Sequence, residues 1–373
     1  MDFEYTPEQL KLKKEVADFA RSESADPRRK VEEAESIFPW EFYRKLGERG
    51  WLGLIVPKRY GGQGKGAIEY AIIMEELSKE LLITPQATVQ TEKSVLGAGT
   101  EEQKERYLPK LASGAFLAAQ AISEPDAGSS FKNMRTTATK KGDSFLIKGH
   151  KSHINLAKEA DVFTLLAITE KGLTEFLIEK NTEGIRFEKG NPIAGRSAPI
   201  YDIFLDCRVP EKQLLGEMGG GLNVFLLTFD LSRIGNASQF IGFARGCLEL
   251  AVTHAKNRNV GNHRVADFQG IQWIIAELAV DLELARMARD KAAWMEDKGV
   301  EHNLETSVAK YFAGEVAEKV VCKSSSLLGS QACYYDSPYE RYLREIKTLQ
   351  VAGGTSEIMK NNIARHVLGS YVF

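Results

Sequence analysis

The chain has 373 residues, 43% hydrophobic and 27% charged, with 49 Lys+Arg against 51 Asp+Glu. That length exceeds one ordinary core and predicts about two to three domains. A formal charge of -2 with no basic block leaves non-specific nucleic-acid binding without an electrostatic basis, and no apolar run is long enough to span a bilayer.

From residue 1 to about 115 the pattern is helical. Thr6-Pro7-Glu8-Gln9 combines an N-cap, a proline at the first helical position and a capping-box glutamine, with Leu10, Val16 and Phe19 on the inner face. A second helix follows Pro39 (Phe42, Leu46), the turn Pro57 to Gly62 breaks it, and Ile68, Ile72, Glu75 and Leu77 fit a third. Thr100-Glu101-Glu102-Gln103 repeats the capping box and opens Lys104 to Leu111. The N-terminus, Met1 to Glu4, shows no basic-then-apolar leader.

Residues 116–218 change to short strand-like runs: Ser144 to Lys148, Asp161 to Ile168, Thr174 to Ile178 and Ile200 to Leu205, with Gly142-Asp143 as a turn. Within them Ser123-Glu124-Pro125-Asp126-Ala127-Gly128-Ser129-Ser130 is a small-residue turn whose backbone a ligand could approach closely. His150 and His153, three apart on a strand, are expected to face opposite sides and share no metal.

From 219 to 373 the helical period returns. Phe268, Ile271, Ile275, Leu278, Leu282 and Ala285 form an inward stripe, with Glu277, Asp281 and Arg289 opposite, and Asn303 is a candidate cap for the next helix. Asp230 and Arg233, one turn apart, read as a surface ion pair. Gly353-Gly354-Thr355-Ser356 then starts a last helix whose buried side is expected from Ile358, Ile363, Val367 and Leu368. A helix start behind a Gly-Gly turn suits a polar or anionic ligand. Cys207, Cys247, Cys322 and Cys333 lack metal-ligand spacing, so reduced, mostly buried thiols in a cytoplasmic protein and no metal are expected.

The turn Ser123 to Ser130, then Lys148 to Asn155, then Asp230-Leu231-Ser232-Arg233, then Gly354 to Ile358, in this order and within an α, β, α layout, resemble the acyl-CoA dehydrogenase family. The resemblance implies an α+β fold: an N-terminal helical domain (1–115), a β-barrel-like middle domain (116–218) and a C-terminal four-helix bundle (219–373). It implies FAD held non-covalently, an acyl-CoA thioester as substrate, and often an electron-transferring flavoprotein as partner. Assembly is expected as a homotetramer or homodimer, with a heteromer as a further option.

Residue by residue, the resemblance places Ile122, Ser123, Gly128, Ser129, His153, Asn155, Arg258, Thr355 and Glu357 at the cofactor. It places Ser129, Asp230, Arg233 and the Gly353 N–H at the acyl-CoA. The departures are chemical. The family's base, a glutamate, is Gly353 here, and the alternative base position before the arginine is Ser232. His153 and Asn155 replace a tryptophan and a threonine beside the flavin. Val260-Gly261, Ser326 and Ser330 alter the contacts to a neighbour's FAD. Glu92 is the candidate displaced base, its alternative being a solvated partner of Lys93 at a helix end. Three readings follow: a flavin enzyme acting on acyl-CoA in either direction, a desulfinase-type flavoprotein, or the cofactor-poor subunit of a heteromer.

Overall fold

The computed structural model describes residues 4–369; the remaining residues of the leader argument, 1–3, and residues 370–373 lie outside them. Packing groups the chain into two compact units. One contains residues up to 26, 67–84 and those from 230 onward; the other contains 27–66 and 85–229. The N-terminal run of helices is therefore shared between the two.

The first unit is helical. Its leading helix, Pro7–Ser24, starts as its sequence predicts: Thr6 Oγ1 accepts from the Gln9 N–H at 3.2 Å, and Gln9 Oε1 accepts from the Thr6 N–H at 3.0 Å. Val16 and Phe19 are buried, whereas Leu10 is exposed. It packs with Ala67–Lys79, which meets the long helix Gln269–Lys298; Asn303–Leu328 lies against that helix and against Pro338–Leu349 and Ser356–Leu368. Leu278, Leu282 and Ala285 are buried as the stripe requires, but Phe268 at its start is exposed.

Three expectations are corrected here. Arg289, expected on the solvent face, is fully buried, because Glu75 on Ala67–Lys79 supplies the counter-charge: Arg289 Nη2 donates to Glu75 Oε2 at 2.9 Å and Nη1 to Ser238 Oγ at 3.0 Å. Arg286 and Arg245 converge on the same carboxylate. Asn303 is the first helical residue rather than the cap, and its Nδ2 donates to Asp230 Oδ1 at 3.3 Å. The final helix buries Met359, while Val367 and Leu368 are exposed. Of the cysteines, Cys207 and Cys247 are buried but Cys322 and Cys333 are exposed.

The second unit carries a mixed sheet. Its strands run in the order Ile185–Lys189, Ile200–Pro210, Ser144–Asn155, Thr137–Lys141, Val162–Thr169, Gly172–Glu179 and Leu214–Leu215. Ala118–Ala121 pairs in parallel with Val162–Thr169. The alternation of each strand sends Phe145 and Phe176 to one face, where their rings meet edge-on at 5.0 Å. It sends Ala118, Val162 and Leu177 to the other face, where Val95, Leu108 and Leu111 of the helices Gln86–Ala98 and Glu101–Ala112 cover them. The second capping box is formed too, with Thr100 Oγ1 accepting from the Gln103 N–H at 3.2 Å.

Candidate active site

In the second unit the turn after Ala118–Ala121 is built around a buried ion pair. Lys151 Nζ, fully buried, donates to the Ile122 carbonyl at 3.0 Å and to Glu124 Oε1 at 2.8 Å. Glu124 also accepts from the backbone N–H groups of Arg135 (2.6 Å) and Thr136 (3.1 Å). Burial alone would raise the Glu124 carboxyl, but Lys151 and the Thr136 contact hold it below the usual range; burial pushes Lys151 down to about 8.

The Ser152 N–H donates to the Ser123 carbonyl at 2.9 Å, which brings the turn beside His153 and Asn155. The strand Ser144–Asn155 is irregular between Lys151 and Ile154, and His153 adopts φ 60°, a conformation uncommon for a residue with a Cβ. Strict strand alternation therefore does not govern the two histidines. Asp202 holds both ends of the irregular stretch, accepting from the His153 N–H at 3.2 Å and pairing with His150 Nε2 at 3.0 Å. Gly128, Ser129, His153 and Asn155 are left exposed, and Ser152 Oγ is buried with no hydrogen-bond partner among the described residues.

In the first unit the Gly353-Gly354 turn has φ of 63° and 92°, which only glycine adopts without strain. Lys310, buried on Asn303–Leu328, clamps it: Nζ donates to the Gln350 carbonyl at 3.1 Å and to the Gly354 carbonyl. Burial, with Arg233 nearby, lowers this lysine to about 8, against a raising influence of Glu357. Asn236 Nδ2 reaches the Ala352 carbonyl at 3.4 Å. Thr355 caps the 13-residue helix Ser356–Leu368 by accepting from the Ile358 N–H at 3.3 Å, and Glu357 occupies its first turn.

A Cβ built on Gly353 would lie 2.1 Å from Asn236 Nδ2 and 3.5 Å from Ser232 Oγ. The two positions at which a base is expected, 232 and 353, thus meet at one point. Neither can accept a proton there at neutral pH.

Asp230 and Arg233 are not the surface pair their spacing suggests. Arg233 is 3% exposed, and Asp230 Oδ1 gathers Arg233 Nη1 (3.3 Å), Asn303 Nδ2 (3.3 Å) and Thr306 Oγ1 (2.5 Å). Arg258 is exposed at the end of Phe229–Asn257, ahead of the hairpin 259–264. Glu92 is no solvated helix-end residue: it lies mid-helix in Gln86–Ala98, fully buried, and neither carboxyl oxygen has a hydrogen-bond partner among the described residues. Burial raises its pKa well above the ordinary carboxylate value.

Glu124, Lys151, Asn236 and Lys310 escaped the sequence reading of the site. Only Asn236 carried a local signal, one helical turn beyond Ser232 and therefore on the same face. Replacing Glu124 by glutamine leaves the Lys151 ammonium buried without a counter-charge, at a cost on the order of 3–5 kcal/mol. The expected result is a clear fall in the urea midpoint; an unchanged midpoint would show that the pair does not hold the turn.

The anchored Ser123–Ser130 turn belongs to the second unit and the Gly353-Gly354 turn to the first. Residues 6–115 match the profile of the acyl-CoA dehydrogenase N-terminal domain, 119–207 its middle domain and 219–368 its C-terminal domain. The chain is 35% identical to an acyl-CoA dehydrogenase of Bacillus subtilis, covering 98% of this chain and 99% of that one. It is 36% identical to the acryloyl-CoA reductase (NADH) of Anaerotignum propionicum, over 99% of this chain and 96% of the relative. The solved butyryl-CoA dehydrogenase from Megasphaera elsdenii superposes with a TM-score of 0.95 at 30% identity, covering 99% of this chain and all of that one. The chain belongs to the acyl-CoA dehydrogenase family. It is an acyl-CoA dehydrogenase-like flavoenzyme, and the family's cofactor is FAD.

Proposed function

We propose that the protein interconverts a saturated acyl-CoA and its α,β-unsaturated counterpart with FAD, and that it works in the reducing direction. The observation that supports this is the meeting of Ser232 and Gly353 at one point with no proton acceptor there, while burial raises the Glu92 pKa well above the ordinary carboxylate value. One group serves both directions, as acid in reduction and as its conjugate base in dehydrogenation, and a Glu92 shifted toward its acid form rests in the state that reduction uses. A relative named for acryloyl-CoA reduction and others named for dehydrogenation favour redox chemistry over the desulfinase-type and cofactor-poor alternatives.

The residues present suit FAD. The orphaned Ser152 hydroxyl beside the Ser123 carbonyl, the open space around Gly128 and the exposed His153 and Asn155 offer polar contacts to the flavin end. Ile122, Ser123, Gly128 and Ser129 are assigned to it with those two, and Arg258, Thr355 and Glu357 to the remaining cofactor contacts. FAD held there would supply the hydride exchange at the substrate β-carbon. The Gly353 N–H receives the thioester oxygen and stabilises charge developing there, with Lys310 fixing the turn. Asp230 and Arg233 with Ser129 hold the CoA moiety. Glu92 gives its proton to the α-carbon and is reprotonated from water.

The exposed line Trp273, Val280, Leu284 and Met287, on one face of Gln269–Lys298, supports assembly into a homodimer or homotetramer. An electron-transferring flavoprotein and a cytoplasmic setting belong to the same proposal.

The test is the visible spectrum of the purified protein before and after adding acyl-CoA thioesters, followed by reoxidation of the reduced protein by an enoyl-CoA. Glu92→Gln is expected to slow that reoxidation at least ~100-fold while the thioester still binds. Equal rates for the variant and the parent would remove Glu92 from the mechanism. A protein that stays colourless after reconstitution with FAD would overturn the whole reading.

A further inference from the structure

We propose that Asn236 is the residue that keeps the reaction site free of a base: its amide occupies the place from which a side chain at 353 would start, and it withholds a proton acceptor from that point. The inference rests on the acyl-CoA reading for its functional half and on geometry alone for its structural half.

The geometry is specific. Asn236 is fully buried on Phe229–Asn257, one helical turn beyond Ser232, so both side chains present to the same point. Its Nδ2 lies 2.1 Å, and its Cγ 3.3 Å, from a Cβ built on Gly353. No real Cβ tolerates the first distance, and Nδ2 is also tied to the Ala352 carbonyl at 3.4 Å, so the amide cannot simply swing aside without releasing that contact. The positive φ of Gly353 is a second and separate barrier to a side chain. Lys310, by gripping the carbonyls on both sides at Gln350 and Gly354, keeps the turn from shifting to relieve either one.

The chemistry follows from the choice of amide. A carboxamide has nearly the size and shape of a carboxylate but neither takes nor gives a proton near neutral pH. Asn236 therefore fills and hydrogen-bonds within the locus without offering the basicity that would drive α-proton removal from a saturated thioester. It acts as a positioning residue that withholds a base from this point.

Two experiments on the full-length protein test this. The first needs no cofactor: thermal unfolding of the parent, Gly353→Ala, Asn236→Ala and the double variant. Gly353→Ala meets both the clash and the left-handed backbone in the parent but only the backbone strain once Asn236 is shortened. The expected result is that at least half of the Tm loss of Gly353→Ala disappears in the Asn236→Ala background. Strictly additive losses would overturn the steric half.

The second uses Asn236→Asp, which is nearly isosteric and returns a carboxylate to the same point. In the flavin-loaded variant, a saturated acyl-CoA is expected to bleach the flavin at least 10-fold faster than in the parent, the α-proton passing to the new carboxylate and the β-hydride to oxidised flavin. The gain should vanish as the pH falls and the carboxylate is protonated. A variant that binds the thioester, as shown by a perturbed flavin spectrum, yet bleaches no faster would overturn the base-withholding role. If no thioester perturbs the spectrum of parent or variant, the acyl-CoA reading itself fails; the unfolding cycle then still decides whether Asn236 excludes a side chain at 353.

Discussion

Glu75→Gln is expected to lower the unfolding temperature by about 10 °C, the largest stability effect of any single charge removal in the first unit. Glu75 is 2% exposed and Arg289 is fully buried. The carboxylate accepts from Arg289 and Arg286 and pairs with Arg245, which also reaches Glu76. A glutamine keeps the volume but removes the carboxylate that three guanidiniums share, leaving the buried Arg289 with Asp290 alone as counter-charge, 2.6 Å from its Nε, at a cost on the order of 3–5 kcal/mol.

The pH dependence carries a definite sign. Burial by itself would raise the Glu75 pKa, yet Arg289, Arg286 and Arg245 overcome it and hold the carboxyl far below its ordinary value of 4.5. The folded pKa is thus below the unfolded one, so the stabilisation is complete above about 4.5 and is lost as the pH falls further. The gap between parent and variant in denaturant midpoint should therefore be widest near neutrality and narrow in acid. A gap that does not change with pH would mean that packing, not charge, makes the difference.

Lys310→Met is expected to lower kcat at least 10-fold with a smaller change in KM, because it unties the Gln350 and Gly354 carbonyls on either side of the proposed thioester clamp. A buried charge-assisted hydrogen bond contributes about 1.5–3 kcal/mol, enough to account for that loss if the turn shifts only in the reacting geometry. Burial and the nearby Arg233 lower this lysine to about 8, opposed by Glu357, so the parent should lose rate as the pH rises through about 8 and the ammonium becomes a weaker donor. Unfolding cannot mimic this. A lysine whose folded pKa lies below its ordinary 10.5 makes the folded state more stable, not less, as the pH climbs between those values. Lys310→Met should show no such inflection. If parent and variant share the same kcat and pH profile, the turn does not depend on the lysine.

The parts of this protein legible in its sequence are those determined by neighbours along the chain. Thr6 with Gln9 and Thr100 with Gln103 form their capping boxes, and Thr355 caps its helix, because a cap needs only residues within one turn. The four strand runs read in the middle segment all fall on strands, but Ser144–Asn155 and Ile200–Pro210 run well past the Lys148 and Leu205 at which alternation ended them, and Thr137–Lys141 and Ile185–Lys189 were not read. The motif order carried the family, and with it the turn at Ser123–Ser130 and the glycine at 353.

What the local pattern misjudged are residues whose state depends on a distant partner. Arg289 and Arg233 read as solvent-facing because periodicity assigns a charge to the outer face; Glu75 and Asp230 reverse that by offering a counter-charge from elsewhere in the chain. For Glu92 the sequence left two readings, a displaced base or half of a solvated pair with Lys93; its helix holds that residue in the interior, which removes the solvated one. Val367 and Leu368 read as core, but the last helix turns Met359 inward instead.

By itself the sequence determined the family, the segment order, the caps and the absence of a carboxylate at both 232 and 353. Only the tertiary structure decided that these two positions are one place, that Asn236 fills it and that Lys310 holds it. The reason is physical: Ser232 and Asn236 share one helix, but residues 310 and 353 lie on other segments, and the chemistry depends on approaches of a few ångströms that folding creates and no spacing between those segments encodes.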